Sequence, residues 1–348
     1  MSPQVADVAV LVPARDEADS IDGCLRHVLA QDLGIEHLEV IVVDGASHDG
    51  TAEAARRVLQ DSSLQRWVVH RNPEGSTPSN LNAGLALVRA PVVCRVDARS
   101  LIPIDYVRRC ASALESDPSR AVVGGAQVAR SRSMSATDRG IARALNNRWA
   151  MGMSRYRRRA RSGPSDTVYL GAFRTEQLRD AGGWNEQFPT NQDFELNRRM
   201  RHHGSVYYLS DLPVSYLPRR SIAQLFRQYR RFGAAKVVYW RVTGDRPRPR
   251  QLLALGFVPA LCIAALLVGL GGRRARRVVL PAGLLCAVVM EEHGATDSGR
   301  PLSVRLWSLA ALGAVWSGWS AGAWAGLLRL PHRSVTTTRP PVSVGRSS

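Results

Sequence analysis

The chain has 348 residues, which is enough for one sizeable domain and an additional region. Its formal net charge is +18 and its pI is near 11.0, so we expect an acidic partner such as nucleic acid, anionic lipid or a nucleotide diphosphate. The five cysteines are scattered and form no Cys-x-x-Cys pair, which argues against a disulfide framework or a zinc site and indicates a reducing compartment. The first residues lack the basic-then-apolar layout of a signal peptide, which favours the cytoplasm.

Strand-like and helix-like patterns alternate through the first half of the chain. The predicted elements cover residues 8–12, 21–30, 38–43, 52–59, 67–70, 81–88 and 92–96. This alternation is typical of βαβ units and predicts an α/β fold with a parallel sheet covered on both faces. No Gly-x-Gly-x-x-Gly follows the first strand, which disfavours a dinucleotide-binding domain.

The second predicted strand runs into a carboxylate, Asp44, at the start of a turn rich in Gly, Ser and Asp. In open α/β sheets, ligands bind outside the carboxyl ends of the strands, beside the amino termini of helices. Asp44 is therefore a candidate ligand contact. The alternative is that Asp44 and Asp49 make an Asx turn and cap the next helix.

Four other motifs carry charged or polar side chains. Pro-Ala-Arg-Asp-Glu at residues 13–17 follows the first strand, and Asp-Ala-Arg at residues 97–99 follows the strand at 92–96. Downstream lie Asn-Gln-Asp-Phe-Glu-Leu at residues 191–196 and Gln-Tyr-Arg-Arg-Phe at residues 228–232. Three strands thus deliver charged side chains to one edge of one sheet.

In this order and spacing, these motifs resemble the family 2 glycosyltransferases with the GT-A fold, a Rossmann-like domain that binds nucleotide-diphospho-sugars. The resemblance covers roughly residues 6–240, and the chain looks most like the bacterial exopolysaccharide transferases. It implies a GT-A domain over residues 1–245 and the following donor-binding residues: Pro13, Arg15, Glu17, Asp44, Asp97, Arg99, Gln228 and Arg231.

The resemblance also implies individual roles on the donor side. Glu17 and Asp44 match uridine-contacting carboxylates, which favours a UDP-sugar. Asp97 matches the first Asp of the metal motif, which implies a divalent cation, Mg²⁺ or Mn²⁺, held by one carboxylate and phosphate oxygens. Arg99 stands where a second Asp or a His is expected; it cannot ligate a metal, although its guanidinium could bind a phosphate directly.

On the acceptor side, Asp193 matches the family's general base, which takes the proton of the acceptor hydroxyl and gives an inverted product. Gln192 replaces the acidic residue that usually precedes it. Asp193 could also cap the helix predicted over residues 194–202. Gln228 and Arg231 share a helix face; in the family this motif lies over the donor diphosphate, but an arginine-rich helix on lipid headgroups would show the same pattern.

Three further features each have alternative interpretations. Asn82 matches a residue of the family's helix beneath the nucleotide, or it serves in capping and close packing. Trp184 could stack on a sugar ring or belong to the core. The arginine-rich residues 155–161 suit lipid headgroups, a lipid diphosphate or nucleic-acid phosphates, or they form a solvated loop.

The carboxyl-terminal residues 246–330 contain apolar segments at about 252–271, 278–290 and 306–328, followed by a tail at 331–348 that we predict to be disordered. The first and third segments are long enough to cross a membrane, and the second is short for a crossing. Arginines flank the first segment on both sides, so it could instead be re-entrant or interfacial. Burial in a soluble fold is the remaining alternative. We expect a multi-pass protein of the cell membrane with its catalytic domain in the cytoplasm.

These features predict an inverting glycosyltransferase that acts on a glycan or polyprenyl-linked acceptor in cell-surface polysaccharide synthesis, with membrane lipids and no nucleic acid as partners. A nucleotidyltransferase is disfavoured because no Gly-rich, Lys-bearing loop follows the first strand. A basic, membrane-associated nucleic-acid binder is an alternative from another class. A degenerate transferase that binds nucleotide sugar without turnover is a third, motivated by Arg99 and Gln192.

Overall fold

The computed structural model describes residues 7–150, 161–295 and 299–329. The strands are β1 Val8–Ala14, β2 Leu38–Asp44, β3 Trp67–Arg71, β4 Val92–Arg95, β5 Ser100–Leu101, β6 Arg120–Ala129, β7 Gly163–Pro164, β8 Tyr169–Arg174 and β9 Ser205–Tyr216. The helices are α1 Ala18–Leu29, α2 Thr51–Gln60, α3 Thr77–Leu87, α4 Tyr106–Glu115, α5 Ala136–Asn146, α6 Thr175–Asp180, α7 Gln192–Met200, α8 Ile222–Thr243, α9 Pro249–Leu255, α10 Phe257–Leu270, α11 Gly272–Gly294 and α12 Leu302–Leu328. Most of the arginine-rich segment 155–161 and the tail at 331–348 lie outside the described residues.

A mixed sheet organises the fold. Its strands run in the order β3-β2-β1-β4-β8-β6-β9-β5, with β7 paired to β9. Strands β3, β2, β1 and β4 pair in parallel, as predicted, whereas β8 runs antiparallel between β4 and β6. The predicted α/β fold class is therefore confirmed. The carboxyl ends of β1, β2 and β4 meet at one edge of the sheet.

Strand β1 lies at the centre of the parallel part and is buried along its whole length. Its side chains alternate between two apolar layers: Val10 and Val12 enter one cluster, and Ala9 and Leu11 enter the other. Burial on both faces explains why the strand reads as a continuous apolar run. The loop after β1 is therefore anchored to a rigid frame.

A third apolar cluster joins α5, α8 and α12, and Leu225 and Tyr229 of α8 pack there with Trp319 of α12. The two long helices approach closely because glycine occupies the crossing. A Cβ added at Gly322 would lie 1.9 Å from the carbonyl oxygen of Arg230. Helix α12 is thus held tightly against α8.

The predicted apolar segments differ in how they pack. Pro249–Leu270, formed by α9 and α10, is the one stretch within the described ranges that is long and apolar enough to cross a membrane, with a mean hydropathy of 2.5 and 6% of it buried. Helix α12, which contains residues 306–328, buries one face against α5 and α8. Residues 278–290 are not a separate segment. They belong to α11, which also includes the arginines at 273–277, because arginine is a good helix former. A multi-pass arrangement stays a prediction.

Candidate active site

A cavity of about 1190 Å³, here called the main cavity, opens at the carboxyl ends of β1 and β4 and extends to α7, α8 and α9. It is lined by eight of the residues predicted for the site: Pro13, Arg15, Glu17, Asp97, Arg99, Asp193, Gln228 and Arg231. The structure therefore brings the donor-side and acceptor-side motifs into one place. Asp44 is not among the lining residues.

The loop after β1 is fastened to the loop after β2. The backbone N–H of Glu17 donates to the hydroxyl of Thr51 over 2.8 Å, and the N–H of Ala18 donates to the carboxylate of Asp49 over 3.0 Å. Arg15 reaches the opposite side and donates to the carbonyl oxygen of Gly75 over 3.2 Å. These contacts fix the position of the cavity wall that carries Arg15 and Glu17.

Asp44 ends β2 as predicted, and its residue is only 2% exposed. Its carboxylate accepts the backbone N–H of Ser47 over 3.2 Å, which is an Asx-turn contact within its own loop. The structure thus supports the turn-forming interpretation of Asp44. Its role as a donor contact stays a prediction.

One buried arginine connects the predicted metal ligand with the predicted base. Arg95 ends β4 and is 5% exposed. Its Nε donates to Oδ1 of Asp97 over 2.8 Å, and its Nη1 donates to Oδ1 of Asp193. The sequence analysis missed Arg95. The available signal was a charged residue inside a strand that is otherwise apolar, since buried charges in proteins are normally paired.

The charges of this group act on one another. Burial alone would lower the pKa of Arg95, but the carboxylates of Asp193 and Asp97 raise it above its ordinary value, so the guanidinium stays charged. Burial raises the pKa of Asp193, and the charge of Arg95 opposes this. The Asp193 side chain lies within the cavity but keeps 46% of its surface exposed there, and this exposure reduces the effect of burial on its pKa. Asp193 is thus a carboxylate whose proton affinity exceeds that of an ordinary aspartate.

Asp193 lies in the first turn of α7, where Asn191 is the N-cap residue with a left-handed φ of 68°. Because Asn191 holds the N-cap position, the alternative in which Asp193 is the N-cap of this helix is wrong. The Asp193 side chain pairs with Arg95 instead. A carboxylate in the first turn is favoured by the helix dipole. The helix therefore supports the position of Asp193 while the oxygen atoms remain directed at the site.

Glu17 and Arg99 form an ion pair, with Nε of Arg99 2.6 Å from Oε2 of Glu17. Both side chains are largely buried, at 15% and 24% exposure respectively. The residue that replaces the second metal-motif carboxylate is thus balanced by the carboxylate of the first loop. Contact of either group with a donor stays a prediction.

Helix α8 forms the opposite wall. Gln228 and Arg231 line the main cavity from this helix, as their shared face predicted, and Phe232 lies beside them. Trp149 and Trp319 contribute further aromatic surface at this end. Aromatic rings give sugar rings or hydrocarbon chains an apolar surface to pack on.

Two predicted contacts have structural roles. Trp184 is 1% exposed and packs edge-on against Phe173, with 5.9 Å between ring centroids, so it belongs to the core. Asn82 binds the same segment: its Nδ2 donates to the carbonyl of Trp184 over 2.8 Å, and its Oδ1 accepts the N–H of Trp184 over 2.8 Å. Asn82 therefore fastens the loop after α6 to α3.

The donor set limits what metal the site can hold. Within the described ranges, no group of three or more His, Cys, Asp or Glu side chains is arranged to hold a metal ion. Asp97 contributes a single carboxylate and shares one oxygen with Arg95. Because a hard cation takes about six oxygen ligands, these residues fit a divalent cation only together with oxygens of a bound diphosphate.

Comparison with known proteins places this chain in a family. The model of the family described as "Glycosyltransferase like family 2" matches residues 3–235. This chain is a family 2 glycosyltransferase. The enzyme class predicted from the sequence is confirmed, and the nucleotidyltransferase and nucleic-acid-binder alternatives are set aside.

Two curated relatives and one solved structure show the breadth of the likeness. The chain is 28% identical over 333 residues to the succinoglycan biosynthesis protein ExoA of Rhizobium meliloti, covering 93% of this chain and 96% of that protein. It is 23% identical to a dolichyl N-acetyl-α-D-glucosaminyl phosphate 3-β-D-2,3-diacetamido-2,3-dideoxy-β-D-glucuronosyltransferase of Methanococcus voltae, covering 66% of this chain and 72% of the relative. The mannosyltransferase PcManGT of Pyrobaculum calidifontis, solved with GDP-Man and Mn²⁺, superposes with a TM-score of 0.63 at 21% identity, covering 93% of this chain and 88% of that chain. The predicted GT-A fold is confirmed.

Proposed function

We propose that this enzyme is an inverting, membrane-associated glycosyltransferase that moves a sugar from a nucleotide-diphospho-sugar to a glycan or polyprenyl-linked acceptor in cell-surface polysaccharide synthesis. The proposal rests on one observation above all: Arg95 joins Asp97 and Asp193 within a single cavity. The likeness to a succinoglycan biosynthesis protein over nearly the whole chain supports the biological setting.

Asp193 acts as the general base. The acceptor oxygen forms its bond to the anomeric carbon while the bond from that carbon to the diphosphate breaks, and the hydroxyl proton moves to a carboxylate oxygen of Asp193. A base with raised proton affinity is better matched to this step than an ordinary aspartate. Because the displacement is direct, the anomeric configuration inverts.

The donor nucleotide binds against Pro13, Arg15 and Glu17, with Asp44 beneath the loop. A UDP-sugar is favoured by the match of Glu17 and Asp44 to uridine contacts, whereas the mannosyltransferase of similar fold was solved with GDP-Man. The donor diphosphate would lie between two walls of the cavity. Arg99, after β4, is on one wall, and Gln228 and Arg231 of α8 are on the other. The guanidinium groups of Arg99 and Arg231 bind phosphate oxygens well.

Asp97 would hold a divalent cation, Mg²⁺ or Mn²⁺, together with donor phosphate oxygens. Such a cation supplies positive charge at the departing diphosphate. Arg95 orients the Asp97 carboxylate through its 2.8 Å hydrogen bond. The solved mannosyltransferase with Mn²⁺ supports a cation in this fold.

The exposed apolar stretch Pro249–Leu270 supports membrane attachment. In this proposal residues 1–245 are the catalytic GT-A domain and residues 246–330 are the membrane region. The exposed leucines of α10, such as Leu266 at 59% and Leu270 at 85% exposure, suit contact with lipid. A multi-pass arrangement with the catalytic domain in the cytoplasm is part of the proposal.

The test is a donor panel. The full chain is purified in detergent and incubated with single nucleotide sugars, with and without Mn²⁺ or Mg²⁺, and release of the nucleoside diphosphate is measured. We expect metal-stimulated release from one donor. Tight donor binding without release under any of these conditions would contradict the proposal and favour a degenerate transferase.

A further inference from the structure

A second cavity of about 740 Å³ lies beside the main cavity, between the loop after β1 and the crossing of α8 with α12. We call it the arginine cavity. The two cavities share five wall residues: Arg15, Glu17, Arg99, Arg219 and Arg231. A molecule bound in the arginine cavity would therefore reach the main cavity without leaving the protein surface.

The arginine cavity carries a strong positive charge. Seven arginines line it, against two carboxylates, those of Asp16 and Glu17. The arginines are Arg15, Arg99, Arg219, Arg227, Arg230, Arg231 and Arg329. Arg99 pairs with Glu17 and Arg15 lies 3.9 Å from Asp16, so these two carboxylates are already engaged.

Five of these arginines have no side-chain partner in the part of the chain that the structure describes. No hydrogen bond or ion pair joins a described residue to the guanidinium groups of Arg219, Arg227, Arg230, Arg231 and Arg329. Arg227, Arg230 and Arg231 stand three and four residues apart on α8, where like charges repel. The helix thus keeps an unfavourable charge pattern that a bound anion would relieve.

The positive charge of the arginine cavity also affects the pKa of Arg219. Partial burial, followed by the charge of Arg99, lowers the pKa of Arg219. The further arginines Arg231 and Arg132 act in the same direction. A guanidinium loses proton affinity only where the surroundings are strongly positive or poorly hydrated, and both conditions favour an anionic ligand.

The floor of the arginine cavity is different in character. It is formed by Ala234 of α8 and by Gly322, Ala325 and Gly326 of α12. A cluster of guanidinium groups beside a floor of alanine and glycine suits a ligand with an anionic head and an apolar chain.

We propose that the arginine cavity binds the diphosphate headgroup of the lipid-linked acceptor through Arg227 and Arg230, which line this cavity and not the main cavity. Arg99 and Arg231, in the shared wall, stay with the donor diphosphate, and the acceptor sugar extends past this wall into the main cavity towards Asp193. This inference rests on the proposed function and deepens it, because it gives the acceptor a chemical class and a site. Guanidinium groups pair with phosphate oxygens through two parallel hydrogen bonds. The hydrocarbon chain lies against the alanine and glycine floor of the cavity.

The test measures binding without turnover. Farnesyl diphosphate is titrated into the full chain in detergent, for the parent and for the double variant Arg227→Gln/Arg230→Gln. Both side chains are exposed, so the variant should keep the parent's thermal midpoint. We expect at least a tenfold weaker Kd in the double variant, a smaller loss in Arg227→Lys/Arg230→Lys, and no change in the control Arg57→Gln on α2.

Competition identifies the source of the phosphate. Saturating UDP should leave farnesyl diphosphate bound, and inorganic pyrophosphate should bind more weakly than the prenyl compound. Displacement by UDP would overturn the proposal, since the arginine cavity would then belong to the donor. An unchanged Kd for farnesyl diphosphate in the double variant would also overturn the proposal. If that variant at the same time binds phosphatidylglycerol vesicles more weakly than the parent, the two arginines contact the membrane surface instead. UDP binding measured on the same samples tests the proposed function separately.

Discussion

Arg95 at the end of β4 donates a hydrogen bond to Asp193 in the first turn of α7, and this ion pair spans 98 residues of sequence. The same guanidinium holds Asp97. The two halves of the proposed reaction, departure of the diphosphate and deprotonation of the acceptor, are therefore electrostatically linked through one buried side chain.

The first prediction concerns the pH dependence of this link. In the proposed reaction Asp193 is the base and must be ionised; Arg95 lowers the pKa of this carboxyl, which burial raises. Arg95→Met should therefore raise the pKa of Asp193 further and move the acidic limb of the pH–rate profile to higher pH. The loss of an oriented base should also reduce kcat, on the order of 10²-fold.

The pH–rate profile of kcat checks this prediction against two variants. Arg95→Lys keeps the positive charge and should shift the acidic limb less than Arg95→Met. Arg57→Met, on the exposed surface of α2, should leave the profile unchanged. An acidic limb that stays in place in Arg95→Met would show that Arg95 does not set the proton affinity of the base.

The sequence was sufficient to predict β1, β2 and β4 and the loops that follow them, because a strand–loop–helix pattern is local. The placement of Asp97 and Asp193 in one cavity followed from motif order. The partner of Arg95 could not be predicted in this way, since it depends on a contact between distant elements. The contact of Asp44 is different, because its carboxylate accepts the N–H of Ser47 within its own loop, a local Asx turn that the sequence already offered as an alternative.

Longer segments were harder to assign. No element was predicted across residues 130–163, yet α5 begins after Ser135, whose hydroxyl accepts the N–H of Asp138 over 3.1 Å. This is an ordinary N-cap signal that the surrounding arginines and serines obscured. Hydropathy alone predicted an apolar segment that begins at residue 278, after the arginines at 273–277. In the structure one helix, α11, contains both.

The second prediction concerns Lys236, the one lysine in the sequence. Its ammonium lies 3.9 Å from the ring centroids of both Phe194 and Tyr239. Burial, followed by the charges of Arg248 and Arg250, lowers the pKa of Lys236 to about 8, although Asp245 opposes this. Because a single lysine gives a single side-chain signal, NMR of a protein labelled at lysine should show a titration midpoint near 8.

A lowered lysine pKa also fixes the sign of its effect on stability. Below about pH 8 Lys236 is charged in both states, and its burial lowers the free energy of unfolding because water solvates the charge better in the unfolded chain. This destabilisation disappears as the pH rises from about 8, where the folded protein loses the proton, to 10.5, where the unfolded chain loses it. Lys236→Met should therefore be more stable than the parent at pH 7, by up to about 3 kcal/mol, less the lost ring contacts. The difference should shrink towards pH 10. A midpoint of 10 or above for Lys236 would contradict this account.

The third prediction concerns the helix crossing. Gly322→Ala should destabilise the protein by roughly 1–3 kcal/mol or more, because the new Cβ would lie 1.9 Å from the carbonyl oxygen of Arg230. Gly313→Ala on the same helix is the matched control, since its Cβ would meet nothing within 4 Å. Thermal unfolding in detergent measures both. Equal midpoints for the two variants would show that α8 and α12 do not cross as closely as described.

The fourth prediction concerns the cation. Asp97 is a single carboxylate, so Mn²⁺ should bind weakly to the chain alone and tightly only when the donor nucleotide is present. Asp97→Asn should remove the nucleotide-dependent part. Titration of free Mn²⁺ by electron paramagnetic resonance, with and without UDP, measures both states. Tight binding of Mn²⁺ without nucleotide would require further ligands and contradict the donor set assigned here.

The most direct measurement is the rate of sugar transfer by Asp193→Asn at saturating donor and acceptor, compared with Asp180→Asn, an exposed aspartate at the end of α6. Our account predicts that Asp193→Asn binds the donor with the parent's affinity but transfers sugar about 10²–10⁴-fold more slowly, while Asp180→Asn matches the parent. Transfer by Asp193→Asn within a few-fold of the parent rate would contradict the assignment of Asp193 as the base.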